Sequence, residues 1–90
     1  MYMKLMEYSD GMKVFFCPGC NQHHGFDSRW TFNGDFERPT FSPSLLVTLG
    51  HHPEPPDICH SFVRDGRIEY LNDCTHSLAG QTIDLPDVEV

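Results

Sequence analysis

Apolar and polar positions alternate over short distances along this chain and never settle into the three-to-four spacing of a long amphipathic helix. Residues 2 to 8 and 12 to 16 are rich in Met, Tyr, Val and Phe and are separated by Ser9-Asp10-Gly11, which predicts a hairpin running into a cysteine turn. Trp30-Thr31-Phe32 and Asp35-Phe36-Glu37 flank Asn33-Gly34, a dipeptide suited to a tight turn with positive φ at both centres, so a second hairpin is expected there. Residues 41 to 49 carry Leu45, Leu46, Val47 and Leu49 after a proline-punctuated entry, the pattern of a strand whose first residues lie at an edge. Residues 51 to 57, with three prolines, predict a loop. A third hairpin pairs residues 58 to 64 with 67 to 71 around Asp65-Gly66; a two-residue turn sets Arg64 opposite Arg67, His60 opposite Leu71 and Cys59 opposite Asn72. Asp73 can cap a short helical turn over residues 74 to 79, stopped by Gly80, with a last strand over 81 to 85. The expected fold is mainly β: a small zinc-ribbon-like domain of antiparallel hairpins with at most one short helix.

Ninety residues predict one domain spanning 1–90, and a chain of this size buries only about 60 to 65% of its unfolded surface. A structural metal ion would change that balance, since zinc in small sites contributes an apparent ~10 to 16 kcal/mol. Six Lys and Arg against thirteen Asp and Glu leave a net charge of −7. Such a balance argues against nucleic acid, whose phosphates require a basic face, and leaves a protein or peptide as the expected partner. No apolar stretch approaches the roughly 20 residues needed to cross a bilayer, and no secretory leader pattern is evident. The expectation is a cytoplasmic protein with no membrane partner, and thiols that bind metal in preference to forming disulfides.

The four cysteines, 17, 20, 59 and 74, are the strongest chemical signal. Cys17-Pro18-Gly19-Cys20 places two thiols on one tight turn, half of a tetrahedral zinc site. Hairpin register brings Cys59 near Cys74 for the other half. Each of these is followed closely by a histidine, in Cys59-His60 and Cys74-Thr75-His76. Neighbours on a strand point to opposite faces, so Cys59 and His60 do not serve one ion together. The expected ligands of one structural Zn2+ are Cys17, Cys20, Cys59 and Cys74, with His60 in place of Cys59, His76 in place of Cys74, or His23 and His24 as alternatives. Four protein ligands make a closed site, whereas catalytic zinc keeps a position for water, and no His-Glu-x-x-His run is present.

If the thiols take the ion, His60 and His76 are left beside Asp73. Among the hydroxyls of Arg38-Pro39-Thr40-Phe41-Ser42-Pro43-Ser44-Leu45, Ser44 is the candidate nucleophile, because a proline precedes it and an apolar strand follows. Either histidine would take its proton and Asp73 would orient the imidazole. The competing readings are local: Ser and Thr beside proline bond the backbone in turns, both histidines can be structural, and Asp73 can be a helix cap. A reactive Cys74 thiol is a further alternative, which zinc ligation would silence.

The ordered motifs Cys17-Pro18-Gly19-Cys20, Trp30-Thr31-Phe32-Asn33-Gly34-Asp35, Arg38-Pro39-Thr40-Phe41-Ser42-Pro43-Ser44, Cys59-His60-Ser61-Phe62-Val63-Arg64-Asp65-Gly66 and Asp73-Cys74-Thr75-His76-Ser77-Leu78-Ala79-Gly80-Gln81-Thr82 resemble a small family of tailed phages and prophages. Its members often carry the label "ammonia monooxygenase", and relatives sit in bacterial operons for ubiquitin-like conjugation. A chain without a membrane span or an evident copper site does not fit that label. The resemblance implies a zinc-stabilised serine peptidase that trims the tail of a ubiquitin-like protein, with Ser44 as nucleophile, His60 or His76 as base and the four cysteines around the metal. The alternative is a non-enzymatic zinc-ribbon module of phage origin that binds another protein in the bacterial host cell.

Overall fold

The computed structural model describes residues 2–50 and 56–89. Ten strands follow one another: β1 (Tyr2–Met3), β2 (Met6–Glu7), β3 (Lys13–Cys17), β4 (Gln22–Phe26), β5 (Thr31–Phe32), β6 (Phe41–Leu49), β7 (Asp57–Arg64), β8 (Arg67–Tyr70), β9 (Thr82–Asp84) and β10 (Val88–Glu89). They form antiparallel sheets ordered β5-β6-β7-β8-β9, β2-β3-β4 and β1-β10. The mainly β expectation holds, and no helix occurs among the described residues. Among the described residues there is accordingly no helix long and apolar enough to cross a membrane.

The third hairpin forms as its turn chemistry requires. Asp65 and Gly66 both take positive φ, 51° and 77°, which matches the twist of the flanking strands and sets Arg64 opposite Arg67. Register carries through to the Leu71 N–H, which donates to the His60 carbonyl. The first hairpin is β2–β3, shorter than the sequence predicts because Tyr2 and Met3 pair with the far end of the chain.

Two expectations are corrected. Gly34 takes positive φ (82°) but Asn33 does not, so the segment bends without the expected tight turn; residues 35 to 37 form no strand, and β5 pairs with β6 instead. Asn33 Oδ1 accepts the Asp35 N–H, and Asp35 Oδ1 accepts those of Glu37 and Arg38. Short polar side chains thus capture the local donors and curl the segment into a loop; the same bonds hold the Asp35 carboxyl below the usual carboxylate range. Residues 74 to 79 form no helix but an irregular stretch leading into a turn over 77 to 80, because Thr75 is tied to Ile58 and the loop closes on Tyr70 through Gly80 N–H and Gln81 C=O. Of the loop expected over 51 to 57, residues 51–55 lie outside the described residues, and Asp57 already belongs to β7.

One apolar cluster joins the two larger sheets. Phe15, Cys17 and Phe26 pack with Phe41, Leu45, Cys59, Val63, Ile68 and Tyr70, all nearly inaccessible. Alternation along β7 turns Cys59, Ser61 and Val63 inward and leaves Ile58, His60 and Phe62 on the outer face. One strand therefore serves two sites on opposite sides of the sheet.

Candidate functional site

The inward site gathers three thiols and an imidazole. Cys17 ends β3, Cys20 follows it across the turn, Cys59 projects from β7, and His76 arrives from the loop after β8; their ligand atoms lie within 4.8 Å of one another. All four cysteines are free, and the sulfurs of Cys17 and Cys59 are 3.7 Å apart. Two sulfurs each about 2.3 Å from a tetrahedral ion sit about 3.8 Å apart, so this spacing fits metal ligation. His76 Nε2 is buried and has no hydrogen-bond partner, a costly arrangement unless something else satisfies the ring. These four residues can hold a metal ion.

Protonation in this cluster has the same implication. The hydrogen bond from Cys59 pulls the Cys17 thiol well below its ordinary value, while that contact and burial push Cys59 up; burial also raises Cys20. Protons alone let one sulfur ionise at its neighbours' expense, whereas a divalent cation compensates all three. Tyr70 supports the shell from behind, its hydroxyl 3.2 Å from Cys17 Sγ and 3.4 Å from the Gly19 N–H that donates to it. Burial raises the Tyr70 phenol, which keeps it a donor toward a thiolate.

Cys74, expected as the fourth ligand, lies outside this cluster and His76 stands in its place. The turn from Leu71 to Cys74 curls the chain back, so that Cys74 Sγ accepts the His60 N–H and donates to the His60 carbonyl, each at 3.2 Å. Those bonds also leave Cys74, which is buried, poorly placed as a nucleophile. Of the alternatives, His60 points to the opposite face and His23 is exposed, while His24, buried against Phe15, adjoins Cys17 without being one of the four clustered ligands.

Gly19 has a role that the cysteine spacing alone does not disclose. A Cβ at this position would meet the His76 ring at 2.5 to 2.7 Å, closer than packed atoms approach, so the imidazole reaches the thiols only because residue 19 has no side chain. Gly19→Ala is expected to displace His76, weaken metal binding at least tenfold and lower the melting temperature, as a metal titration followed by thermal denaturation would measure. Unchanged affinity would remove His76 from the ligand set.

The outward site lies on the other face of β7. Phe41 pairs with Val63 and Leu45 with Ser61, so four steps on β6 span two on β7 and residues 42 to 44 bulge from the ladder. Such a bulge re-aims a side chain; here Ser44 Oγ comes to 2.9 Å from His60 Nε2. His60 Nδ1 lies 3.0 Å from Asp73 Oδ2. An ionised carboxylate only accepts, so Nδ1 carries the ring proton and Nε2 is left to accept from the serine hydroxyl. The side chain of His60 is 25% exposed and that of Asp73 55%, leaving the site open to a substrate. His76, the other candidate base, is committed to the thiol cluster.

Fold and site together define a small antiparallel β protein with a Cys3His cluster on one face of β7 and a hydrogen-bonded serine–histidine–aspartate chain on the other, a geometry similar to that of serine hydrolases on unrelated folds. The chain belongs to the family described as bacterial ubiquitination-like system serine protease (BubE), whose match covers residues 1–71. That span includes Ser44, His60, Cys17, Cys20 and Cys59, while Asp73 and His76 lie beyond it. No curated protein and no solved structure matches the chain.

Proposed function

We propose that this protein is a serine-type peptidase that cleaves the tail of a ubiquitin-like protein or a related peptide, in a fold stabilised by one zinc ion held by Cys17, Cys20, Cys59 and His76. The observation that carries this reading is the relay of 2.9 Å and 3.0 Å from Ser44 through His60 to Asp73. The family description supports a serine protease in a ubiquitination-like system. Zinc is the ion because three thiolates and an imidazole in a closed tetrahedral set suit it best among common divalent metals.

Ser44 Oγ attacks the scissile carbonyl carbon as its proton passes to His60 Nε2. Asp73 holds the ring by Nδ1–H and offsets the charge of the imidazolium. The tetrahedral intermediate collapses, the C–N bond breaks, and His60 gives its proton to the departing amine. Water, deprotonated by His60, then attacks the Ser44 ester, releasing the new carboxylate and restoring the hydroxyl. Cys74 steadies the histidine by bonding both polar groups of its main chain.

The test is reaction with a fluorophosphonate, which phosphonylates an activated serine. Labelling mapped to Ser44 is expected in the wild type, and His60→Ala is expected to slow it at least a hundredfold. A folded, metal-loaded protein that neither labels nor cleaves any ubiquitin-like precursor would overturn the reading in favour of a non-enzymatic protein-interaction module.

A further inference from the structure

The free edge of β6 leads directly away from Ser44. Strand β5 pairs only with Phe41 and Ser42, through Phe32 and Thr31, so the rest of β6 lacks a strand neighbour on that side among the described residues. A turn ends the coverage: the Trp30 N–H donates to the Asp27 carbonyl and the Arg29 N–H to Asp27 Oδ1, steering the chain off before it can flank residue 44.

The hydrogen bonds of β7 establish which β6 groups face the open side. His60 directs its N–H and C=O toward Cys74 and Leu71, and Ile58 directs both of its own toward Thr75. Neither residue therefore bonds the main chain of β6. Their partners Leu46 and Thr48 must then point N–H and C=O away from β7, into the open edge. Among the described residues, no hydrogen bond reaches these groups.

The edge itself is unprotected. Residues 44 to 49 read Ser-Leu-Leu-Val-Thr-Leu, without a charge, proline or glycine, although natural edge strands are usually blunted by one of these. Leu46 is 59% exposed and lies on the same face as His60. Past Ser44 in the other direction, Arg29, Trp30 and Pro43 line a small open cavity of about 110 Å³.

We propose that the edge of β6 from Ser44 to Leu49 is the substrate-binding strand, to which an extended peptide adds as an antiparallel neighbour. This rests on the peptidase reading and supplies its substrate class. Residues N-terminal to the scissile bond exchange main-chain hydrogen bonds with Thr48 and then Leu46, which delivers the scissile carbonyl to Ser44. The residues that follow enter the Arg29–Trp30–Pro43 cavity. An open edge that begins at the nucleophile and satisfies alternate residues of a partner strand fits an extended peptide tail and not a folded loop.

The experiment uses the metal-loaded protein and an internally quenched random peptide library, followed by N-methylation of each amide of the best substrate. Methylation is expected to lower kcat/KM about tenfold at two positions, two residues apart, N-terminal to the cleaved bond, with the intervening amide changing it less than about twofold. Leu46→Pro removes the outward donor without touching the β6–β7 ladder and is expected to cut cleavage tenfold or more while Ser44 still reacts with fluorophosphonate. Uniform tolerance of methylation, or full cleavage by Leu46→Pro, would overturn the proposal, as would labelling of Ser44 with no library member cleaved. A dimer in sedimentation that Leu46→Pro dissociates would also overturn it, by assigning the edge to a second copy. Failure of fluorophosphonate labelling in the wild type would bring down the peptidase reading, and this proposal with it.

Discussion

Ser44→Ala is expected to reduce cleavage of a ubiquitin-like precursor by about ten-thousandfold or more while leaving metal content and fold unchanged. Loss is this large because serine and histidine act as one unit, so removing the nucleophile discards the covalent route and leaves only binding and electrostatic assistance. Stability barely moves, since the hydroxyl is partly exposed and makes one bond to His60, a loss of about 0.5 to 1.5 kcal/mol. For the same reason, adding His60→Ala to Ser44→Ala should cost little further activity. Rates measured on the two single variants and the double variant decide the matter: multiplying losses would mean that the residues act independently and would dismantle the relay.

Stripping the metal with a strong chelator is expected to unfold the protein and abolish activity, although the ion takes no part in the chemistry. The ligands come from β3 and the turn after it, β7 and the loop after β8, so they tie together segments distant in the chain around a small core. Metal binding of ~10 to 16 kcal/mol is comparable to the ~5 to 15 kcal/mol of a typical domain. His60 shares β7 with Cys59, so losing the ion also releases the base from Ser44. Because ligand thiolates must be deprotonated, falling pH sets protons against the metal and destabilises the fold. His76→Ala should reproduce the loss, whereas Cys74→Ser should retain the ion, its hydroxyl taking over the bonds to the His60 main chain. Metal stoichiometry and far-ultraviolet circular dichroism of the two variants separate the ligand sets. Release by Cys74→Ser with retention by His76→Ala would restore the four-thiolate arrangement.

The approach of Asp73 to His60 is legible because both belong to the third hairpin and its exit, whereas Ser44 comes from the separate strand β6. The Asp65-Gly66 turn dictates the β7–β8 register, and with it the approach of residues 71 to 75 to His60. Alternation along β7 separates Cys59 from His60 without reference to any other element. Choosing between Cys74 and His76 was beyond such reasoning. Both follow Asp73 within three residues, and the choice rests on the Leu71–Cys74 turn and on space above Gly19, which belongs to a distant segment. The misplaced second hairpin has a similar origin: Asn33-Gly34 matches a tight-turn dipeptide, but only Gly34 takes positive φ, and the side chains of Asn33 and Asp35 draw the following amides away from a ladder.

By itself, then, the sequence determined what local geometry controls: a β protein of short hairpins and a two-thiol turn at Cys17 and Cys20, with Ser44, Asp73 and either His60 or His76 left as candidates beside the thiols. Tertiary structure alone decided that His76 and not Cys74 completes the thiol cluster, that the β6 bulge aims Ser44 at His60, and that β5 stops short and leaves residues 43 to 49 of β6 without a strand neighbour on that side among the described residues. Each of these depends on contacts between segments far apart in the chain, where a turn or a missing side chain elsewhere determines what can approach, and no local pattern of residues encodes that.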